Sequence, residues 1–434
     1  MPKRFFSVLL LLVGSAAFAE PLTLRLQGSN TIGATLAPAL VEAWLGALGV
    51  TDVQRIQLAA EELRITGRSA DGEAVKVDIH AHGSGTAFGG LAAGTADVGM
   101  ASRPIKHAEL LALADLGALD RPGAEFVLGL DGIAVIVHPS NPISNLDKHS
   151  IARLFSGEIR DWRELGGLPG AVHVYARDHK SGTWDTFKSL VLGNVPLVTD
   201  AMRYESSEAL SNAVATDPNG IGFIGLPYVL RAKALGVSEN DTRPIVPQPF
   251  SVATEDYALA RRLFLYVPEK ASAPARAFAE FAVSPAGQAL VTREGFIAQD
   301  ILEGDQEHAA QAPAEYVAFT RGARRLSLNF RFREGSAIPD TKAVRDIGRL
   351  VAYMKRPEND GRRLLLMGFA DSNEGIPLHS LELSVHRVDT VADLLVARGV
   401  GPLRVRGYGS ALPVAGNDTS HGRHKNRRVE VWVR

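Results

Sequence analysis

From about residue 20 to residue 300, short runs with alternating apolar positions are separated by stretches whose apolar residues recur at helical spacing. The runs "LTLRL", "VKVDIHA", "GIAVIV", "VHVYA", "GIGFIG" and "RRLFLYV" read as strands, and their alternation with helices predicts an α/β fold with parallel strands. The stretch "EGDQEHAAQAPAEY" is polar and has no apolar period, so residues 301–322 read as a linker. Beyond it, "LSLNFRF" alternates as a strand, and "DTKAVRDIGRLVAYMKR" places Val344, Ile347, Val351 and Met354 on one helical face. "RRLLLMGFAD" reads as a buried strand. "LELSVHRVDTVADLLVARGV" gives a second helix with Val388, Val391, Ala392 and Leu395 inward and Gly399 as its stop. With "RVRGYG" and "RRVEVWVR" as closing strands, residues 323–434 form a smaller β-α-β-α-β-β domain.

The 434-residue length fits two or three compact units. Hydrophobic residues at 46% and charged residues at 22% are ordinary for a soluble globular protein. A net charge of −1 with no basic run argues against nucleic acid as a partner. The start, "MPKRFFSVLLLLVGSAAFAEPL", has a basic opening, a short apolar stretch and a small-x-small cleavage site, so residues 1–19 read as a secretory signal. There is no cysteine, hence neither a disulfide framework nor a lipid-attachment thiol. These features predict a protein of the periplasm.

Three near-identical tetrads change the picture: "GSNT" at 28–31, "GSGT" at 83–86 and "KSGT" at 180–183. Each follows a predicted strand and opens a predicted helix. Glycine lets the backbone approach a ligand, Ser and Thr cap helices, and the unpaired amides of a helix start attract anions. Three such starts converging on one point enclose an oxyanion. The Walker spacing is missing from all three. Arg177, four residues before Ser181 at a strand end, is placed to fork onto two oxyanion oxygens. His80 and His82 alternate on one strand without a nearby third ligand, so no metal is expected there. No nucleophile set, paired carboxylates or cofactor motif is present, and an enzyme is not indicated.

At this point residues 20–300 resemble the type II periplasmic binding proteins of the phosphate-specific PstS kind. The stretches "GSNT", "GSGTAFGGLAAGTADVGMASRPI", "DGIAVIVHPSNPISNL", "LFSGEIRDWRELGG", "RDHKSGTWDTF" and "AEFAVSPAGQALVTREGF" carry the likeness. The resemblance implies two α/β lobes closing on phosphate, with Ser29, Thr31, Ser84, Arg177, Ser181, Gly182 and Thr183 at the anion. Where some members have Asp, this chain has Arg103, a possible further anion contact; where they have an acid before the third turn, it has His179. Those carboxylates accept the proton of hydrogen phosphate, which sulfate lacks. Asp178 is a candidate substitute.

Residues from about 325 to 434 are similar to the OmpA C-terminal peptidoglycan-associating domain, through "GFAD", "LELSVHRVDTVADLLVARGV" and "NDTSHGRHKNRRVEV". The likeness implies that Asp371 and Arg387 grip the amino-acid end of diaminopimelate in the peptide stem, with Asn426, Arg427 and Arg428 structural. Ala370 replaces the family's usual Thr, Ser380 stands where Asn is common, and the Asp-to-Arg loop is one residue longer than in some members. The expected protein binds phosphate or a similar tetrahedral oxyanion by lobe closure, is held noncovalently to peptidoglycan and serves an inner-membrane ABC permease. The other expectation is an envelope linker or sensor on a repurposed scaffold.

Overall fold

The computed structural model describes residues 21–179, 181–240, 242–304 and 312–434; the expected signal segment and the centre of the expected linker lie outside the described residues. One curled sheet of eleven strands organises the N-terminal part. In its first half, Thr23–Gly28 lies parallel to both Ala74–His80 and Val98–Ala101. The hairpin Thr51–Ala59/Glu62–Arg68 extends this half to an edge. In the second half, His173–Arg177 runs parallel to Gly220–Gly225 and to Met202–Tyr204.

Two antiparallel strands, Glu125–Val137 and Ala260–Tyr266, join the halves. Glu125–Val137 is buried along all thirteen residues. Its Phe126 and Leu128 enter the core around Leu26, Trp44 and Phe278, whereas Leu130, Ile133 and Val135 enter the one around Phe155, Phe187 and Phe223. One strand serving two cores is what makes two lobes of a single sheet. The sheet is therefore mixed rather than parallel, because the crossover strands and the edge hairpin run antiparallel to their neighbours.

The C-terminal unit runs Arg324–Arg331, helix Thr341–Met354, Leu364–Gly368, helix Pro377–Val396, Arg404–Gly407, helix Ser420–Asn426 and Arg428–Val433. The short helix before the last strand is an addition to the expected order. The two-residue strand Glu303–Gly304 joins this second, five-stranded sheet at its edge. Asp340 caps the first helix, accepting from the Ala343 amide at 2.7 Å. The second helix buries Val388, Val391 and Leu395 as expected, and Gly399 follows its end with φ +82°.

The first helix differs from the reading of its period. Ala343, Ile347, Leu350 and Tyr353 are buried, Val344 is exposed, and Val351 and Met354 are half-buried. The helix is packed on two sides, against its own sheet and against the crossover strand, where Arg345 stacks 4.4 Å over Phe126. Its buried face therefore includes the Lys342–Asp346 ion pair at 2.8 Å.

Both units share a buried polar seam. Asp256 receives Arg325 at 2.8 Å and the Asn329 amide at 3.0 Å, and Arg262 binds Asp340 at 2.7 Å. Lys425 donates to the carbonyls of Tyr257 and Ala258, and the Gly416 amide donates to Glu239.

Candidate functional site

All three tetrads begin helices. Ser29 precedes Asn30–Gly33, Ser84 opens Ser84–Ala92, and Ser181 caps Gly182–Phe187, its Oγ accepting from the Thr183 amide at 3.2 Å. Gly28, with φ +140°, turns the chain where a Cβ would lie 1.9 Å from the Met100 carbonyl oxygen. A Cβ on Gly182 would meet Thr31 Oγ1 at 2.3 Å, so the first and third turns touch across the two lobes only because residue 182 is glycine.

Beside that contact lies a cavity of about 670 Å³, bordered by Thr31, Arg177, Ser181, Gly182 and Thr183. Five of the seven expected anion residues thus share one space. The other two do not line it. Ser29 is buried, its amide donating to Met100 O, and Ser84 Oγ accepts from the Ser102 amide at 2.9 Å. Arg103 is also elsewhere, forked onto Glu109 at 2.7 and 2.8 Å and stacked over Phe88.

The half-buried Arg177 donates to the carbonyls of Tyr204 and Glu205 and to Ser207 Oγ, which fixes its guanidinium against the turn before the helix Ser207–Thr216. Burial pushes it below its ordinary value, with Asp178 opposing. The sequence reading missed a second guanidinium. Arg261, on the crossover strand, donates to Thr31 Oγ1 at 2.7 Å, to Gly182 O at 3.2 Å and to Asp131 at 3.1 Å. It ties both lobes together at the point where the two turns meet. Burial lowers its pKa and Asp131 opposes this. Carboxylates of Glu61, Asp131, Asp178, Glu205 and Glu294 also border the cavity. Asp131 opens the second half of the crossover strand, where a charged residue beginning an apolar run was the only signal.

In the C-terminal unit, Asp371 and Arg387 are both buried and each has its own partner. Asp371 accepts from Arg427 at 2.9 Å and from the Asn373 amide at 2.8 Å. Arg387 donates to Ser336 O and Phe369 O and holds Glu374 through both terminal nitrogens, at 2.7 and 2.5 Å. The Gly335 and Asp371 amides donate to the same carboxylate at 3.0 and 3.1 Å. Burial would raise the Glu374 pKa, but the Arg387 bonds and the two amides hold it below the usual carboxylate range. These four donors form a complete carboxylate receptor, filled by a residue of the Asp-to-Arg loop. The Asn426 side chain bonds the backbone of Val414 and Ala415.

Comparison with known proteins places these features. A family model described as PBP superfamily domain matches residues 58–286, and the OmpA family model matches residues 331–427. Protein SphX of Synechococcus elongatus is 30% identical over 236 residues, covering 51% of this chain and 69% of that protein. The phosphate-binding protein PstS of Borreliella burgdorferi is 24% identical over 230 residues, covering 51% and 79%. In fold, the chain is similar to the crystal structure of a possible phosphate binding protein from Planctomyces limnophilus, with TM-score 0.53 and 22% identity, over 64% of this chain and 93% of that one.

Proposed function

The chain belongs to the PBP superfamily and carries an OmpA-family domain, and from that premise we propose that it is an envelope receptor for phosphate or a similar tetrahedral oxyanion. The observation that carries the reading is the meeting of Thr31 with the Ser181–Thr183 helix start, beside Arg177 and across Arg261. Hydroxyls, helix amides and two guanidinium groups replace the anion's water shell, each charge-assisted bond contributing about 1.5–3 kcal/mol. Binding shifts the lobes apart at the Thr31–Gly182 contact and recloses them on the ligand.

Asp131 and Asp178 supply carboxylate acceptors that Arg103 and His179 do not. A carboxylate facing hydrogen phosphate takes its proton in a hydrogen bond; facing sulfate it finds no donor. This supports selectivity for hydrogen phosphate. The OmpA-family unit supports contact with peptidoglycan through Asp371 and Arg387, with the stem carboxylate taking the place of Glu374. Delivery to an inner-membrane ABC permease is the remaining part of the proposal, supported by the likeness to phosphate-binding proteins.

The test is titration of the full chain with orthophosphate and then sulfate, by calorimetry and by fluorescence of Trp184, which is buried two residues after Gly182. Orthophosphate should bind and excess sulfate should not displace it. Arg177→Ala should weaken binding by about two-hundredfold or more, the loss of two charge-assisted bonds. No binding of either anion would remove the receptor reading and leave a wall-linking scaffold in its place.

A further inference from the structure

The C-terminal unit is bonded to both lobes, on either side of the place where the crossover strands change core. On the first-lobe side, Arg333 donates to the Asp120 carbonyl at 3.1 Å and Thr341 donates to Glu125. Arg345 reaches Glu280 at 3.2 and 3.3 Å while it stacks over Phe126. Phe126 belongs to the first-lobe core, as does Phe278 on the helix that carries Glu280. On the second-lobe side, Lys425 donates to the carbonyls of Tyr257 and Ala258, both of the second-lobe core. The Gly416 amide donates to Glu239 at 3.2 Å, and the Asn240 side-chain amide donates to Asp418 at 3.1 Å.

Two lobes joined by crossover strands open by rotation about those strands. A packed body fixed to one lobe follows that lobe, and its bonds to the other must stretch or break. The C-terminal unit has its own sheet and its own core, so it moves as such a body. All of its bonds are made with the lobes in contact at Thr31 and Gly182. The connection to that contact is short. On one crossover strand Arg261 holds Thr31 and Gly182, and the next residue, Arg262, holds Asp340 at 2.7 Å.

The two sides are not equal in strength. On the second lobe the C-terminal unit also satisfies buried groups, Arg325 on Asp256 at 2.8 Å and Arg331 on the Thr254 carbonyl at 2.8 Å. On the first lobe, the bonds of Thr341 to Glu125 and of Asp340 to Arg262 lie on the crossover strands themselves, where rotation displaces them least. Arg333 and Arg345 grip Asp120 and Glu280 off those strands, and both arginines keep part of their side chains in solvent. Pairs of that exposure are weak one by one, so this grip can let go while the buried side holds. We infer that the C-terminal unit is a clamp across the hinge, seated on the second lobe, whose grip on the first lobe through Arg333 and Arg345 sets how fast the cleft opens. A unit docked on one lobe alone would leave the hinge free.

The experiment uses the full chain, which has no cysteine of its own. Spin labels at Leu111→Cys on the first lobe and Leu168→Cys on the second, both exposed positions, report the separation of the lobes. The parent should give one narrow distance distribution, and Arg333→Ala with Arg345→Ala should add a second separation. Orthophosphate release, followed by Trp184 fluorescence, should become about fivefold faster or more in that double variant. Glu280→Arg, an exposed change on the first lobe that repels Arg345, should shift both readouts in the same direction and leaves the C-terminal unit untouched. Arg406→Ala, which removes a surface arginine paired with Glu315 inside the C-terminal unit, should change neither. The clamp is overturned if the double variant and Glu280→Arg keep the parent's distances, or if Arg406→Ala shifts them equally. The release rate rests on the receptor reading above, whereas the label distances need no ligand. A chain that binds no orthophosphate therefore removes that reading, and the distances still decide the clamp.

Discussion

Arg387 has no exposed surface, and its partner Glu374 is held by four donors, so this pair decides how the C-terminal receptor behaves. A peptide carboxylate has to compete with one already tethered in place, at a high effective concentration. Glu374→Gln keeps the side-chain volume but gives up the charge, and should pellet with purified sacculi more strongly than the parent. Arg387→Ala should pellet less in either background. If Glu374→Gln pellets less than the parent, Glu374 supports wall contact rather than competing with it. Glu374→Ala is the poorer variant, because an unpaired buried guanidinium costs about 3–5 kcal/mol. Asp371 and Arg387 were legible in the sequence because they belong to a long pattern, whereas Glu374 in "DSNEG" reads only as polar loop. Arg261 was hidden differently. In "RRLFLYV" two adjacent arginines open an apolar strand, and the period of two sends Arg261 to the cleft and Arg262 to the seam.

The strand Arg324–Arg331 shows how far a pattern carries at the scale of an element. Its alternation was legible, and the apolar set Leu326, Leu328 and Phe330 does enter the C-terminal core. Alternation alone assigns the other face to solvent. Instead Arg325, Ser327, Asn329 and Arg331 are buried, because the N-terminal unit supplies Asp256 and the Thr254 carbonyl against them. A polar face buried by a distant segment leaves no local trace, which is why the seam was not foreseen. Asp256 is the anion on which that face depends. Asp256→Ala should therefore lower the stability of the full chain by about 3–5 kcal/mol, read from the midpoint of urea unfolding. A loss below about 1 kcal/mol, the range of exposed pairs, would show that the seam is held by packing instead.

For the molecule as a whole, the seam sets both the acid response and the dependence of one unit on the other. Glu430, beside Arg325 and Arg428, is held down to about 2 against burial, and Glu239 is lowered through Lys425 and Lys148. Their stabilisation is present above the unfolded carboxylate value and is lost as pH falls through the folded one. His424, pushed down by burial and Arg262, adds to the same sense, because unfolding lets its ring bind a proton below about pH 6.5. Thermal midpoints should therefore fall continuously from pH 7 to pH 4, and a flat profile would contradict the buried placement of these groups. Removing the C-terminal unit after Gly304 acts on the same contacts. It strips Asp256 of Arg325 and Arg331, Arg262 of Asp340, and Glu239 of the Gly416 amide. An N-terminal fragment should consequently unfold at lower urea than the full chain, which should itself unfold in one transition, since Asp256, Arg262 and Glu239 on one side are bonded from the other. Two separate transitions in the full chain, with the first matching the fragment, would mean that the units fold independently. The cleft would then be free to open without reference to the C-terminal unit.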